Sequence, residues 1–558
     1  MAQSSLKKKI VFAVGTVVLF SMLIETFFCM ISARGASEFC ERVILSNGLR
    51  KSKPKGELRI FLYGESTMHG CFLYPKSTPD VWLRNYLHDL LPPERAGKIK
   101  IVNFGRLGTN SDFIDETFRD TVLYKPDLAI FYFGHNDLAQ LKHRKRYLTS
   151  SPLRDRMEML VLQVARNSCF LASVKRSLIR MKMLRHARKD LRAEEQSQEQ
   201  PLKAMDAEID LLYPGSKLHD RCTKDFKENL YKIIAVAERK SVPVIFFKMI
   251  SNVKDIEPFY SAHLLPLTKE ELEHWNKLHS QQSHWMHQKK YRQALPLLRR
   301  MIRIDPTHAE TLHAYGTCLY ETGEYGRAKE FFYKAIDYDL IPIRAKTIIN
   351  ETYEELDAQK FPHVAVIQTP LFFEQASAHG IIANELIDDP VHPNIRGYAL
   401  MARTLVKTME QRGWLIRPGD LDWGKERPFE AMTGNLGITD DFLFDYYLAV
   451  GKFCDKFFRH RIKFIKKALG LKPASIAAKR QLAWAYWLQG NREGAKKIYL
   501  ELKQRSPQTM QEIYQRLPEI KAYLESHGEA DRKEGNRPRG QVGRFAKCRR
   551  QMKRVIIE

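Results

Sequence analysis

Ser66 ends the stretch Leu58-Arg-Ile-Phe-Leu-Tyr-Gly-Glu-Ser66, where an apolar, strand-like run stops at Gly64 and a small hydroxyl residue stands where a helix would begin. Such a residue is an ordinary helix N-cap, or a nucleophile held at the carboxyl edge of a parallel sheet. Three later polar clusters favour the nucleophile: Asn103-Phe-Gly105-Arg-Leu-Gly108-Thr-Asn110-Ser111, Gly134-His135-Asn136-Asp137, and Asp388-Asp389-Pro-Val-His392-Pro-Asn394. Each follows the end of an expected strand, and in an open parallel sheet those ends face one crevice.

The chemistry these residues fit is acyl transfer. A serine hydroxyl needs a base, and His392 stands on a strand-end loop with an acid at fixed short spacing. Asp389, three residues earlier, would take the proton of one ring nitrogen, set the tautomer and stabilise the imidazolium as Ser66 is deprotonated. Asp388 competes for that role, and spacing favours Asp389. The oxyanion needs preorganised donors, which the backbone N–H groups of Ser66 and Gly108 and the side-chain amide of Asn136 would supply. Gly108 suits close approach of a substrate because it has no Cβ. The plain structural alternatives are an N-cap at Ser66, a turn residue at Asn136 and a helix-entry turn at Asp389-Pro390. Asp137 reads as structural, and His69 and His135 as variable positions lining or flanking the cleft.

To bring these clusters together the chain must fold as an α/β domain. Strands are expected at Leu58–Tyr63, Ile99–Asn103, Leu128–Phe133, Val242–Phe247 and His363–Gln368, with helices at Asp80–Leu91 and Phe113–Leu123. The almost wholly apolar third strand is what helices on both faces require. The alternation implies a doubly wound parallel sheet.

At this point the sequence resembles the SGNH (GDSL-type) hydrolases. The family's four blocks match Gly64-Glu65-Ser66, Gly108 within 103–111, Gly134-His135-Asn136-Asp137 and Asp389-Pro-Val-His392. The resemblance implies Ser66, Gly108, Asn136 and His392 as the family's serine, glycine, asparagine and histidine, with Asp389 completing the triad. Glu65 stands where the name motif has Asp, a position that only flanks the nucleophile. The resemblance covers residues 57–140, the strand near 245 and residues 363–412. It implies activity on lipid esters, thioesters or O-acetylated sugars, through a serine acyl-enzyme with no metal and no cofactor. An O-acyltransferase would use the same triad.

Two helical regions lie outside that core. Between the fourth and fifth strands Tyr291, Ala294 and Asp305 recur as Tyr325, Ala328 and Asp339, each 34 positions on. That period resembles the tetratricopeptide repeat. Pro473 and Pro507 mark a second, weaker patch. Such arrays present a groove to a protein or peptide partner, and short ones lean on a neighbour for stability. A rival reading follows, an assembly scaffold with a secondary or inactive hydrolase domain. His274, His279, His284 and His287 read as surface helix residues rather than metal ligands.

Lys7-Lys-Lys9 precedes an apolar run over residues 10–31, a bilayer-spanning length with the lysines kept on the cytoplasmic side. The expected organisation is a signal anchor over 1–33, an α/β domain over 57–260 with a basic helical flap at 140–205, and a repeat insertion over 261–345. The rest of the α/β domain follows over 346–415, then a helical region over 430–525 and a basic tail over 526–558. The catalytic domain would face the periplasm or another extracytoplasmic space. A net charge of +26 favours anionic surfaces, but no nucleic-acid-binding signature accompanies it, so nucleic acid is not expected as a partner. Eight scattered cysteines with no C-x-x-C pair indicate neither a zinc site nor a disulfide framework.

Overall fold

Continuous apolar runs give the strands, all within two residues of the expected bounds: β1 Leu58–Gly64, β2 Ile99–Asn103, β3 Leu128–Tyr132, β4 Val244–Phe247 and β5 Val364–Ile367. The computed structural model describes residues 38–138, 212–454 and 458–528. The apolar run 10–31, the flap 140–205 and the tail beyond 528 lie outside them. Among the described residues no helix is long and apolar enough to cross a membrane.

The strands are parallel, in the order β2-β1-β3-β4-β5. The chain therefore runs outward from β1 first one way and then the other. The crevice at that reversal, above the carboxyl ends of β1 and β3, is where such sheets bind ligands. The helix Pro79–Leu90 lies between β1 and β2 in sequence and the helix Ser111–Thr121 between β2 and β3, and right-handed crossovers running in opposite directions along a sheet put such helices on opposite faces. Every residue of β3 is buried, as helices on both faces demand. On one face Tyr63, Phe131 and Phe246 stack across three strands at centroid distances of 5.0 Å. Phe118 of Ser111–Thr121 closes edge-on over the first two rings, and Tyr353 of the Thr347–Ala358 helix packs on Phe246. The helix Ile395–Arg412 lies against Pro79–Leu90.

The insertion between β4 and β5 is four antiparallel helices, Lys269–His287, Tyr291–Ile304, Ala309–Glu321 and Tyr325–Asp337. A capping box at Thr268 and Glu271 starts the first. Gly316 lets two helices close up, since a Cβ there would lie 3.0 Å from the Phe332 ring. The insertion leans on the segment that follows β5: Tyr325 stacks on His379 at 3.7 Å, and Lys329 pairs with Glu374 of the helix Thr369–Gln375 at 2.6 Å. His274 lies beside Arg300, and His279 stacks on Trp275. Among the described residues no cluster of His, Cys, Asp or Glu has the arrangement of a metal site.

Residues from Asp440 form a second compact unit of six helices, Asp440–Phe453, Phe458–Leu471, Ile476–Gln489, Arg492–Arg505, Pro507–Arg516 and Pro518–Gly528. Its cores gather Phe444, Ile465 and Leu482, then Trp487, Tyr499 and Leu502. The preceding helix, Phe429–Asn435, belongs to the first unit, where the Phe429 ring stacks on Trp82.

Burial pushes three histidines of the first unit well down, His135 to about 3, His308 to about 4 and His313 to about 3. Each is neutral when folded and regains a value near 6.5 on unfolding, so the unfolded chain binds the extra protons. The stability these three histidines contribute is therefore fully present above pH 6.5 and is lost as the pH falls toward 4. Going from pH 7 to 5 costs about 2 kcal/mol per such histidine. His313→Gln, whose amide retains a donor for the Lys254 carbonyl, should show a smaller fall in thermal midpoint between those pH values. An equal fall in wild type and variant would contradict this account.

Candidate active site

The turn that presents Ser66 is built on a glycine. A Cβ on Gly64 would lie 2.3 Å from the Tyr132 carbonyl oxygen and 2.6 Å from the Met68 Cβ, so only glycine lets the turn after β1 pack this close to β3. The short helix Ser66–His69 follows, and its N-cap is Glu65, without a side-chain capping bond. Ser66 is thus not an N-cap. Its hydroxyl is directed elsewhere.

That hydroxyl lies 2.7 Å from Nε2 of His392, which is 326 positions away in sequence. Nδ1 of the same ring is 2.5 Å from Oδ2 of Asp389. Oδ1 of Asp389 accepts the N–H groups of Val391, at 2.8 Å, and His392, at 2.6 Å. The carboxylate so shapes the turn and orients the ring with separate oxygens. Asp389, not Asp388, is the carboxylate on the ring. Both Asp389 and His392 are buried, and the Phe72 ring meets the imidazole edge-on. The Tyr398 hydroxyl donates to the Thr67 carbonyl at 2.7 Å, locking the helix that follows the histidine loop to the Ser66 turn.

The other two expected positions sit on adjacent loops. Gly108 has φ +64°, in the left-handed region that favours glycine, and a Cβ there would meet nothing within 4 Å. Asn136 donates from Nδ2 to the Thr109 carbonyl at 2.8 Å, tying its loop to that of Gly108. Asp137 is structural, accepting the Ser111 N–H at 3.1 Å and the Ser111 hydroxyl. His135 does not line an open cleft. It is buried between the Tyr132 hydroxyl and the Ala345 N–H, each 3.0 Å away. His69 is half-buried and stacks on Tyr74.

Glu65 is the residue whose role spacing did not reveal. Its side chain is 1% exposed, and its two oxygens accept the consecutive N–H groups of Gly134, His135 and Asn136 at 3.1, 3.2 and 3.1 Å. Burial raises its pKa well above the usual range, the Asp137 carboxylate adds to this, and the three N–H groups oppose it. Glu65, the residue before Ser66, therefore fixes the loop that carries Asn136. Nothing in the sequence marks this, because its partners are backbone groups about 70 positions away. Glu65→Gln sets an NH₂ against N–H donors and should lower kcat by about 10–100-fold, the cost of a small misplacement of a catalytic group. Ester hydrolysis at saturating substrate is the check, and wild-type turnover would contradict it.

Residues 286–339 match the family model of the tetratricopeptide repeat. Over these residues the insertion is similar to the tetratricopeptide repeat. The match ends at the Asp339 that pairs with Asp305 in the 34-residue period. Among solved structures, similar folds include a GDSL-like lipase from Bacteroides thetaiotaomicron, at 12% identity over 67% of this chain and 99% of that one, TM-score 0.28. An acetyl-xylooligosaccharide esterase from Geobacillus is similar at 12% identity over 65% and 97%, TM-score 0.27. No curated protein matches the sequence. With identities this low, what the site does is read from its own side chains.

Proposed function

We propose that the chain is a serine esterase of SGNH type that works through an acyl-enzyme on an ester, with an O-acetylated glycan or a lipid-like ester as substrate. One observation carries this reading: the unbroken line Asp389 Oδ2, His392 Nδ1, His392 Nε2, Ser66 Oγ. Nε2 takes the Ser66 proton as Oγ attacks the ester carbonyl. Asp389 holds the other ring nitrogen as the donor tautomer and stabilises the imidazolium. The N–H groups of Ser66 and Gly108 and the Asn136 amide receive the developing oxyanion. His392 then protonates the departing alkoxide, and a water deprotonated by the same ring releases the acid and restores Ser66.

The apolar run 10–31 behind three lysines supports an anchored enzyme facing an extracytoplasmic space. The repeat supports a protein or peptide partner. The test is acetate release from an O-acetylated oligosaccharide by the full chain, run beside a short-chain fatty acyl ester. Release that Ser66→Ala abolishes supports the reading; a folded protein that cleaves neither ester contradicts it.

A further inference from the structure

The segment that closes the repeat insertion touches both halves of the site. Arg344, 1% exposed, donates from Nη1 to the carbonyls of Asn252 at 3.1 Å and Ile256 at 2.8 Å. The next residue, Ala345, donates its N–H to His135 in the block that carries Asn136. Asp339 accepts the N–H groups of Phe259 and Tyr260 at 2.8 and 3.1 Å, and His313 Nε2 meets the Lys254 carbonyl at 3.0 Å. The loop that follows β4 is therefore gripped along 252–260 from the repeat side.

On its other side the same loop grips the catalytic turn. Asn252 is fully buried. Its N–H donates to the Pro390 carbonyl at 3.0 Å, and Nδ2 donates to the Ile387 carbonyl and to Asn384 Oδ1, each at 2.9 Å. Its Oδ1 accepts the Asp255 N–H at 2.9 Å, so both polar ends of the side chain are used. Val253 and Asp255 add bonds to Ile382 and Asn384. Pro390 lies directly between Asp389 and Val391, the residue whose N–H the Asp389 carboxylate accepts. A shift of Asn252 is thus passed straight to the carboxylate that orients His392.

We propose that Asn252 is a positioning residue for the Asp389–His392 turn, and that the repeat insertion holds it in place through Arg344. The inference rests on the triad reading above. Removing the Asn252 amide leaves the buried Ile387 carbonyl and Asp255 N–H unpaired, which the turn relieves by moving. Displacement of a catalytic group by about 1 Å costs up to about 10²-fold in rate.

The test uses the full chain with Asn252→Ala and Arg344→Lys, hydrolysis of p-nitrophenyl acetate, and backbone hydrogen exchange followed by peptide mass spectrometry. Asn252→Ala should lower kcat about 10–100-fold with KM little changed. Exchange should quicken across 386–393 while β1 and β3 stay protected. Arg344→Lys should move both readouts the same way, to a smaller degree. Wild-type kcat and exchange in Asn252→Ala, or protection lost evenly over the whole chain, would overturn the proposal. If Asn252→Ala does not fold, Arg344→Lys decides it, and wild-type behaviour there overturns it. A wild type that cleaves no ester would sink the triad reading instead, while exchange at 386–393 would still decide whether Asn252 fixes the turn.

Discussion

Ser66→Ala lowers turnover of an ester by about 10⁴–10⁶-fold, the loss expected when a nucleophile acting as one unit with its base is removed. The size follows from the hydrogen-bond line. Ser66 Oγ sits 2.7 Å from a ring nitrogen already turned toward it, so alanine removes both the attacking atom and the proton that His392 exists to take. The fold should not suffer. Ser66 makes no N-cap bond, and the break in β1 depends on Gly64. Substrate binding should therefore survive while the acyl-enzyme does not form. Single-turnover kinetics with p-nitrophenyl acetate, together with a thermal melt, separate the two: a lost burst at an unchanged midpoint is the expected pair.

Asp389→Asn should cost about 10⁴-fold in kcat, through the tautomer of His392 rather than through packing. In the wild type Oδ2 accepts from Nδ1 and Oδ1 accepts the Val391 and His392 N–H groups. An asparagine oxygen retained at the Oδ1 position keeps those backbone bonds. Its NH₂ then faces Nδ1, which must become an acceptor, and the proton moves to Nε2. A ring protonated on Nε2 no longer accepts the Ser66 proton. Asp389→Ala should lose as much rate and more stability, because the two buried N–H groups lose their acceptor. Equal melting of the two variants would argue that the turn does not depend on Oδ1.

Much of the site was legible in the sequence for a simple reason. Ser66 directly follows the unmistakable apolar run of β1, and the parallel sheet brings that end to one edge with the loops after β2 and β3; Asp389 and His392 come after the helix Thr369–Gln375 that follows β5, on the turn that opens the helix Ile395–Arg412. The ambiguity between Asp388 and Asp389 was settled by a three-residue turn whose geometry allows one of them on the ring. Glu65 and Asn252 were not legible. Both act on backbone N–H and C=O groups, which every residue has, so no spacing or residue type announces their partners. The insertion was legible from its 34-residue period, but not its grip on the 252–260 loop that holds the catalytic turn, which depends on Arg344, Asp339 and His313 meeting that loop. The start of the second unit at Asp440 was obscured for a similar reason. The helix Phe429–Asn435 looks like the helices after it, and its contacts, the stacking of Phe429 on Trp82 and the pairing of Glu430 with Arg396, assign it to the first unit.

The most direct measurement is covalent labelling of the full chain with a fluorophosphonate, followed by peptide mass spectrometry, beside Ser66→Ala and His392→Ala. A single adduct on Ser66 in the wild type, absent from both folded variants, is the result the account predicts. An adduct on another serine, or labelling of Ser66 that persists without His392, would contradict an Asp389–His392–Ser66 acyl-transfer site.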